Sequence, residues 1–418
     1  MSMTLHVYPE DARFAVTRRF GGTPMTFANA DEAIATATES VAAGQGQVVL
    51  EPGSYLLHQP VRVPPGVRFV GSGRGTRLLV AADNKAGVGV LAAHADGVEL
   101  ADFVVMPQVT GHGEAGVVIE HTGEARVRGV HAVGFARYGF VLRHQSLLCA
   151  LNDCVAADCG VAGYYLHDLA RGTRGDFIPS AVHGCLAYGG GVGFDLDNAL
   201  VINLTGCCAY QVAGVGYHAR NNSNSVVING CRTFQVGAEA VLVEGSDELN
   251  VCGNIFCWHE REGIVVKKSK WGLINGNEVI DSGSYNVPAP DVTVRFGDLP
   301  EPPKPYSGIK LLDVIGYAVT GNTIFNWPVC PEGTSGIEED ETCSHNLVAG
   351  NNVNYFTEML VSRSAKPAAQ SGNWHEVACH WTREHTMPAD KQRILQTYQP
   401  ALTRKFIDEL YRTSSRPA

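Results

Sequence analysis

Side chains that can carry protons are concentrated in the middle of the chain. Three successive segments of similar pattern contain them: Tyr164-Tyr165-Leu166-His167, Phe194-Asp195-Leu196-Asp197 and Tyr217-His218-Ala219-Arg220. Asp195 and Asp197 are two residues apart, so in a β-strand both carboxylates lie on one face, about 6.6 Å apart. Repulsion between them would raise one pKa and leave that carboxyl as a general acid beside an ionised partner. Such a pair suits cleavage of a glycosidic bond.

The same residues allow a second kind of chemistry. His218 and Tyr165 are further candidate catalytic proton carriers, which could remove a proton beside a uronic-acid carboxylate while Arg220 or Lys267 stabilises the enolate-like charge. This would be a β-elimination or an epimerisation. An enzyme of that kind needs a positive local field, whereas this patch is close to neutral. We therefore favour the carboxylate mechanism.

The candidate substrate-binding residues surround these four catalytic candidates. They are His167, Arg220, Glu244, Lys267, Asn198, Asn221, Arg171 and Arg174. The alternative is an ordinary solvated face, because alternate strand positions are polar in any case. Such a face would be rich in Lys, Glu, Thr and Ser, whereas this one is rich in His, Tyr, Asp and Arg. No motif predicts a metal site or a cofactor, although the sequence leaves open whether Ca²⁺ lies among the carboxylates.

A repeat of about 23 residues positions these side chains. A small residue begins each repeat, at Gly116, Gly139, Gly163, Gly193, Gly216, Ala240, Gly263, Gly308 and Gly336. The first and third residues after it are apolar in every copy, apart from Glu339. Residues of a strand alternate between its faces, so these two columns predict a continuous core. The residues two and four places after the small residue then face outward, and their columns contain the candidate site.

A second strand follows about ten residues later in each repeat and ends in a turn. The turn column reads Cys154, Cys185, Cys207, Cys231, Asn254, Asn277, Asn322 and Asn351. An Asn there can bond to its own backbone and to that of the next repeat. The four Cys fit the same slot as small buried residues. A repeat of this kind predicts a solenoid whose rungs lie about 4.8 Å apart.

The segment 29–76 carries the most specific motif. A helical pattern from Asn29 to Gly44 precedes the strand-like Gln47-Val48-Val49-Leu50-Glu51-Pro52-Gly53, and Pro64-Pro65-Gly66 follows. This resembles the entry segment of the pectate lyase-like superfamily. The resemblance implies an all-β, right-handed parallel β-helix with an N-terminal capping helix. The Asn-Thr-Asp and Asp-Asp motifs of polygalacturonases and the Asp-Pro-His of alginate epimerases are absent, so no subfamily's catalytic residues can be transferred.

We expect three regions along the chain. Residues 1–28 are a lead-in, residues 29–362 form the β-helix, and residues 363–418 form a C-terminal helical tail or cap. Within the β-helix, loops are inserted at 171–181, 284–306 and 328–335, where they would wall a groove. The tail has Leu402, Phe406, Ile407 and Leu410 at helical spacing, which would allow homo-oligomer contacts.

Composition limits the partners. A net charge of -10 argues against nucleic-acid binding, and no apolar run is long enough for a membrane span. The N-terminus lacks the features of a secretory signal, so we expect a cytoplasmic protein with reduced thiols; the protein would be secreted if a signal has been removed from the sequence. From the candidate residues and the resemblance together, we predict a carbohydrate-active enzyme that cleaves or rearranges glycosidic bonds. The alternatives are a uronan lyase or epimerase, a cytoplasmic cyclase or isomerase acting on a small intermediate, and a non-catalytic scaffold.

Overall fold

The structure is a computed structural model that describes residues 3–11, 13–18, 23–169, 179–283, 305–326 and 334–376. These residues form a parallel β-helix, in which each turn of the coil contributes one short strand to each of three sheets. The described part contains one α-helix, α1 (Ala30–Ala42), and a single 3₁₀ turn at Gly73–Gly75.

The three sheets run the length of the coil. Sheet A contains β1 (Thr4–Glu10), β2 (Arg13–Arg18), β3 (Met25–Phe27), β4 (Gln47–Leu50), β7 (Arg68–Val70), β10 (Glu99–Ala101), β13 (Arg126–Arg128), β16 (Ala150–Asn152), β19 (Ser180–His183), β22 (Ile202–Thr205), β25 (Val227–Asn229), β28 (Asn250–Cys252), β31 (Leu273–Asn275), β34 (Ala318–Thr320), β37 (Leu347–Ala349) and β40 (Ala369–Ser371). Sheet B contains β5 (Gly53–Leu57), β8 (Thr76–Val80), β11 (Val104–Pro107), β14 (His131–Val133), β17 (Val155–Ala157), β20 (Leu186–Tyr188), β23 (Cys208–Tyr210), β26 (Arg232–Val236), β29 (Ile255–His259), β32 (Glu278–Ser282), β35 (Thr323–Phe325), β38 (Asn352–Asn354) and β41 (Trp374–Glu376). Sheet C contains β6 (Val61–Arg62), β9 (Val88–Ala93), β12 (Ala115–Glu120), β15 (Tyr138–Arg143), β18 (Ala162–Leu169), β21 (Val192–Ala199), β24 (Tyr217–Arg220), β27 (Val241–Glu244), β30 (Ile264–Lys270), β33 (Ile309–Ile315), β36 (Ser335–Glu339) and β39 (Glu358–Ser362).

The predicted inward columns of sheet C form the core. An aromatic stack runs through the coil from Phe140 to Tyr164, Phe194 and Tyr217, with ring centroids 5.0, 4.7 and 5.0 Å apart. Both tyrosines are wholly interior. Their hydroxyls donate to the carbonyl oxygens of Cys154 and Cys207, at 2.7 and 2.8 Å, so neither polar group is buried without a partner.

The small residue that begins each rung is explained by its orientation. A Cβ on Gly116 would lie 2.6 Å from the Cβ of Ala132 and 2.8 Å from the carbonyl oxygen of Gly139. The glycine therefore faces the interior, as does Val117 directly after it. Two consecutive inward residues interrupt the alternation, as in a β-bulge, and so the residue before the glycine faces outward.

The predicted turn column is a ladder of side chains between sheets A and B. The Oδ1 of Asn277 accepts hydrogen bonds from the backbone N–H and the side-chain Nδ2 of Asn254, at 3.1 and 2.8 Å, and Asn322 repeats the pattern toward Asn277. The ladder continues through Asn351 to Asn373. At the other end the buried thiols of the Cys column donate to backbone carbonyls, as Cys207 does to Val182 at 3.3 Å.

The structure adds to the predicted organisation and corrects it. Each rung has a third strand, in sheet B, that the two-strand repeat did not include. Stacking also continues beyond residue 362, because β40 pairs with β37 and β41 pairs with β38. The lead-in 1–28 contains β1, β2 and β3, and β1 extends sheet A by parallel pairing with β4.

The predicted helix near the start is α1, which begins after the N-cap Asn29 and packs against β1, β2, β4, β5 and β6. Of the predicted C-terminal helical tail 363–418, residues 363–376 belong to the coil, and the rest, including Phe406 and Leu410, lies outside the described residues. So do residues 170–178, 284–304 and 327–333, which hold most of the three predicted loop insertions.

Candidate active site

Sheet C brings the candidate residues together on its outer face. The register aligns Tyr165 with Asp195 and Asp195 with His218 on successive strands. The adjoining column contains His167, Asp197, Arg220, Glu244 and Lys267, each aligned with the next. We call these eight residues the outer-face cluster. The register predicted from the sequence is the register of the structure.

Arg220 is the centre of the cluster. Its Nε and Nη2 donate to the two carboxylate oxygens of Asp195, at 2.9 and 3.0 Å. The same Nη2 lies 3.0 Å from Oδ2 of Asp197. One guanidinium therefore bridges both carboxylates in a charge-assisted pair, and the hydrogen bonds with Asp195 raise the pKa of Arg220 further.

Asp197 is held in its ionised form. Besides Arg220, its carboxylate accepts hydrogen bonds from Asn221 Nδ2 at 2.8 Å and from Tyr165 Oη at 3.1 Å. Burial alone would raise the pKa of Asp197, but these donors and the Arg220 charge outweigh it and lower the pKa. Asp197 is therefore not the carboxyl whose pKa the predicted repulsion would raise, because Asn221, Arg220 and Tyr165 stabilise its charge.

His218 connects Asp195 to a third carboxylate. Its Nε2 lies 3.1 Å from Oε2 of Glu244, and its Nδ1 lies 3.8 Å from Oδ1 of Asp195. Lys267 Nζ donates to the other oxygen of Glu244 at 3.3 Å. Burial acts to raise the pKa of Glu244, but His218 and Lys267 lower it overall. The contact with Glu244 is short enough for proton transfer, whereas the contact with Asp195 is too long for a hydrogen bond.

Tyr165 is a proton donor in this arrangement. Burial, and then the charge of Asp197, raise its pKa, so the phenol stays protonated at neutral pH. Its ring stacks on Tyr138 at 4.7 Å and on His167 at 5.5 Å, which fixes the direction of the hydroxyl. His167 Nδ1 lies 3.2 Å from the backbone oxygen of Asp197.

Sequence reasoning missed Tyr138. Its position in the column just before the rung-starting glycine was the available clue, because strict alternation places that column in the core, whereas the bulge turns it outward. Arg137 supports the ring from the other side, since its Nη2 donates to the Tyr138 hydroxyl at 3.1 Å. Tyr138 therefore limits the rotation of the Tyr165 ring.

Asn198 and Asn221 have a backbone role as well. Both have positive φ, of 55° and 54°, as do Asp168 and Lys268 at the equivalent position of other rungs. Asn and Asp tolerate this conformation better than most residues, so the turn alone favours them. Asn221 nevertheless reaches Asp197, whereas Asn198 donates to Asp168 at 3.0 Å. Arg171 and Arg174 lie outside the described residues.

The charges of the cluster nearly cancel. Three carboxylates face two permanent cations and two imidazoles. The part of the chain that the structure describes contains no group of three His, Cys, Asp or Glu side chains arranged to hold a metal ion. It also contains no helix long and apolar enough to cross a membrane.

Comparison with known proteins shows the fold. No family model and no curated protein matches the sequence. Among solved structures, the A-modules of the Azotobacter vinelandii mannuronan C-5 epimerases AlgE6 and AlgE4 are similar. The first has 18% identity and a TM-score of 0.66 over 83% of this chain and 95% of the module. The second has 14% identity and a TM-score of 0.61 over 82% and 95%.

A third similar structure is the tailspike of E. coli bacteriophage HK620 in complex with a pentasaccharide, with 10% identity and a TM-score of 0.54 over 84% of this chain and 75% of the tailspike. These likenesses, with the three long parallel sheets, show that this chain has the parallel β-helix fold.

Proposed function

We propose that this protein is an enzyme that acts on a carbohydrate across strands β18, β21 and β24. The observation that carries the proposal is the ionised Asp197 carboxylate, fixed by Arg220, Asn221 and Tyr165 beside the proton carrier His218. The names of the similar structures support the substrate class, since two are mannuronan epimerases and the third binds a pentasaccharide.

The reaction best supported is cleavage or transfer at a glycosidic bond. Its transition state carries positive charge on the sugar ring, which ionised carboxylates stabilise. An enolate-like transition state would instead need unpaired cations, and here Arg220 is engaged by two carboxylates and Lys267 by Glu244. The balance of charge in the cluster therefore favours glycosidic chemistry on a neutral sugar.

In this proposal Asp195 and Asp197 do not act as the acid and base pair that the sequence predicted. His218 protonates the leaving glycosidic oxygen as its bond to the anomeric carbon breaks, and Glu244 holds the imidazole in position. Water, or a hydroxyl of a second sugar, then bonds to the anomeric carbon and returns its proton to His218. Asp197 faces the charge that develops on the ring. Asp195 positions Arg220, because both of its oxygens are occupied by that guanidinium. Tyr165 and His167, both on β18, bind sugar hydroxyls at that end of the cluster.

A turnover screen with matched variants tests this proposal. Purified protein is incubated with neutral fructans and glucans and with uronate polymers, and reducing sugar and product mass are recorded. We expect products from a neutral glycan, and a loss of about a hundredfold or more in kcat for Asp197→Asn and His218→Gln. Glu120→Gln is the control, since it removes a 2.8 Å cross-strand ion pair with Arg143 on the same face. Full activity of both site variants would refute the assignment.

A second candidate is epimerisation or elimination of a uronate. The hydrogen bond from Tyr165 to Asp197 favours it, because a protonated phenol beside a carboxylate can exchange a proton with a carbon centre. In the same screen this candidate predicts solvent deuterium in the product, or ultraviolet absorbance from an unsaturated uronate. Either result would replace glycosidic cleavage as the reaction.

A further inference from the structure

The outer face of sheet B is apolar along much of the coil. The third residue of each strand faces outward, because the residue before it points into the core, as Ala187 does before Tyr188. We call this column the sheet-B strip, and it reads Val133, Ala157, Tyr188, Tyr210, Phe234, Cys257, Ile280 and Phe325. The equivalent column of sheet A is mostly polar and reads Asn152, His183, Thr205, Asn229, Cys252, Asn275 and Thr320. Outward positions of a solvated sheet are mostly polar, so the strip indicates a covered surface.

Aromatic rings form the centre of the strip, and they are shielded from water. The ring centroids of Tyr188 and Tyr210 are 5.6 Å apart, and those of Tyr210 and Phe234 are 5.3 Å apart. Tyr188 faces outward, yet only 1% of it is exposed. Its strand β20 contacts β17, β18, β21 and β23, which are all parts of the coil wall, so none of these four forms a layer over the strip. Burial also raises the pKa of Cys257 to about 12 and that of Cys208, on the same face of β23, to about 11.

The chain leaves the coil at this sheet. The last described strand, β41, belongs to sheet B and lies two strands beyond β35, where the strip ends. The 42 residues from 377 to 418 follow it. Five strand steps separate Tyr188 on β20 from Phe325 on β35, which is roughly 24 Å at about 4.8 Å per step. A helix of about 16 residues has that length, so the segment 377–418 is long enough to cover the strip.

The sequence of this segment also fits the strip. Leu402, Phe406, Ile407 and Leu410 recur at helical spacing and would form one apolar side. Residues 284–304 also follow a strand of sheet B, but they return to sheet C at β33, and their prolines interrupt any helical pattern. Residues 170–178 connect sheet C to sheet A and so begin on other walls of the coil. The segment 377–418 is therefore the best candidate for the cover.

We propose that residues 377–418 dock on the sheet-B strip through the apolar side that contains Phe406 and Leu410. The inference assigns an interaction surface to a wall of the coil that does not contain the outer-face cluster. It does not depend on the reaction proposed for that cluster.

Thiol labelling of the full-length protein tests this inference. Cys208 and Cys257 face outward from sheet B, whereas Cys252 faces outward from sheet A. The protein is treated with a maleimide, and labelling of each Cys is followed over time by peptide mass spectrometry. In wild type we expect Cys208 and Cys257 to react more slowly than Cys252. Phe406→Ser combined with Leu410→Ser should accelerate labelling of Cys208 and Cys257 by about tenfold or more, because a covered thiol reacts only when its cover opens.

A matched double variant and a buried thiol serve as controls. Arg404→Ser combined with Asp408→Ser changes two residues with the same spacing on the opposite side of the predicted helix and leaves the net charge unchanged. Labelling in this variant should equal that of wild type. Cys231 is 0% exposed in the core, so it stays unlabelled as long as the coil is folded.

Each outcome bears on the docking. Faster labelling of Cys208 and Cys257 in the apolar-side variant alone, with Cys231 still protected, supports it. Unchanged labelling in that variant overturns it. Wild-type labelling of Cys257 that is as fast as that of Cys252 overturns it without any variant. Wild-type labelling of Cys257 that slows as protein concentration rises would mean that a second copy covers the strip, which also overturns the proposal.

Discussion

At the scale of single residues, Arg220 decides what the two central aspartates can do. A guanidinium shared by two carboxylates removes the repulsion that would otherwise protonate one of them. Spacing in the sequence placed Asp195, Asp197 and Arg220 side by side, and the structure has the same pairing. The spacing in the sequence could not predict the side-chain rotamer that puts Arg220 between the aspartates. The pKa of Asp197 is lowered because hydrogen bonds from Asn221 and Tyr165 act together with the Arg220 charge.

Removing the carboxylate of Asp195 should destabilise the fold. Asp195→Asn leaves Arg220 with a neutral partner in a half-buried setting, so we expect a loss of about 2 kcal/mol in the free energy of unfolding. Glu120→Gln breaks a more exposed pair and should cost about 0–1 kcal/mol. Urea unfolding of both variants measures the difference. Equal effects would show that the Asp195–Arg220 pair is worth no more than a surface ion pair.

The loss of unfolding free energy in acid should depend in part on Asp197. Its folded-state pKa lies below that of an unfolded Asp, which is about 3.9, so the unfolded chain binds more protons in acid. The resulting stability is fully present above the unfolded pKa and is lost as pH falls through the lowered folded pKa. Unfolding free energies measured from neutral pH into acid should therefore fall less steeply for Asp197→Asn than for wild type. Identical acid slopes would contradict the assignment.

At the scale of elements, the inward and turn columns could be predicted because they obey simple rules. The alternation of strand residues between the two faces predicted the core of sheet C. The need for side-chain hydrogen bonds to the turn backbone predicted the Asn column. Sheet B was missed although its strands are no shorter than those of sheet A, which were predicted; they begin directly after the turn column, as β20 (Leu186–Tyr188) does after Cys185. The bulge at the rung-starting glycine was missed too. Strict alternation therefore hid Tyr138, Glu239 and Glu262, which that bulge turns outward.

The Asn ladder should contribute strongly to stability. Asn277→Ala removes the acceptor for two donors of Asn254 and the hydrogen bond from Asn277 Nδ2 to the carbonyl of Val251 at 2.8 Å. Because these groups are buried, we expect a loss of about 2–4 kcal/mol in the free energy of unfolding. The matched control is Asn229→Ala, which changes an exposed Asn in sheet A and should cost under about 0.5 kcal/mol. A small effect at residue 277 would mean that water replaces the ladder.

At the scale of the whole molecule, a coil of stacked rungs should transmit perturbations only to neighbouring rungs, because each rung contacts mainly the next. Asn277→Ala and Asn322→Ala share the 2.9 Å hydrogen bond between Asn277 Nδ2 and Asn322 Oδ1, so their effects on unfolding free energy should couple by about 0.5–3 kcal/mol. Val127→Ala changes a buried residue on β13, six strands away from β31 in sheet A. Its effect on the unfolding free energy and that of Asn277→Ala should be additive in the double mutant within about 0.5 kcal/mol. Double-mutant cycles measured by urea unfolding compare the two pairs. If the distant pair couples as strongly as the adjacent pair, stability is shared along the whole coil rather than between neighbouring rungs.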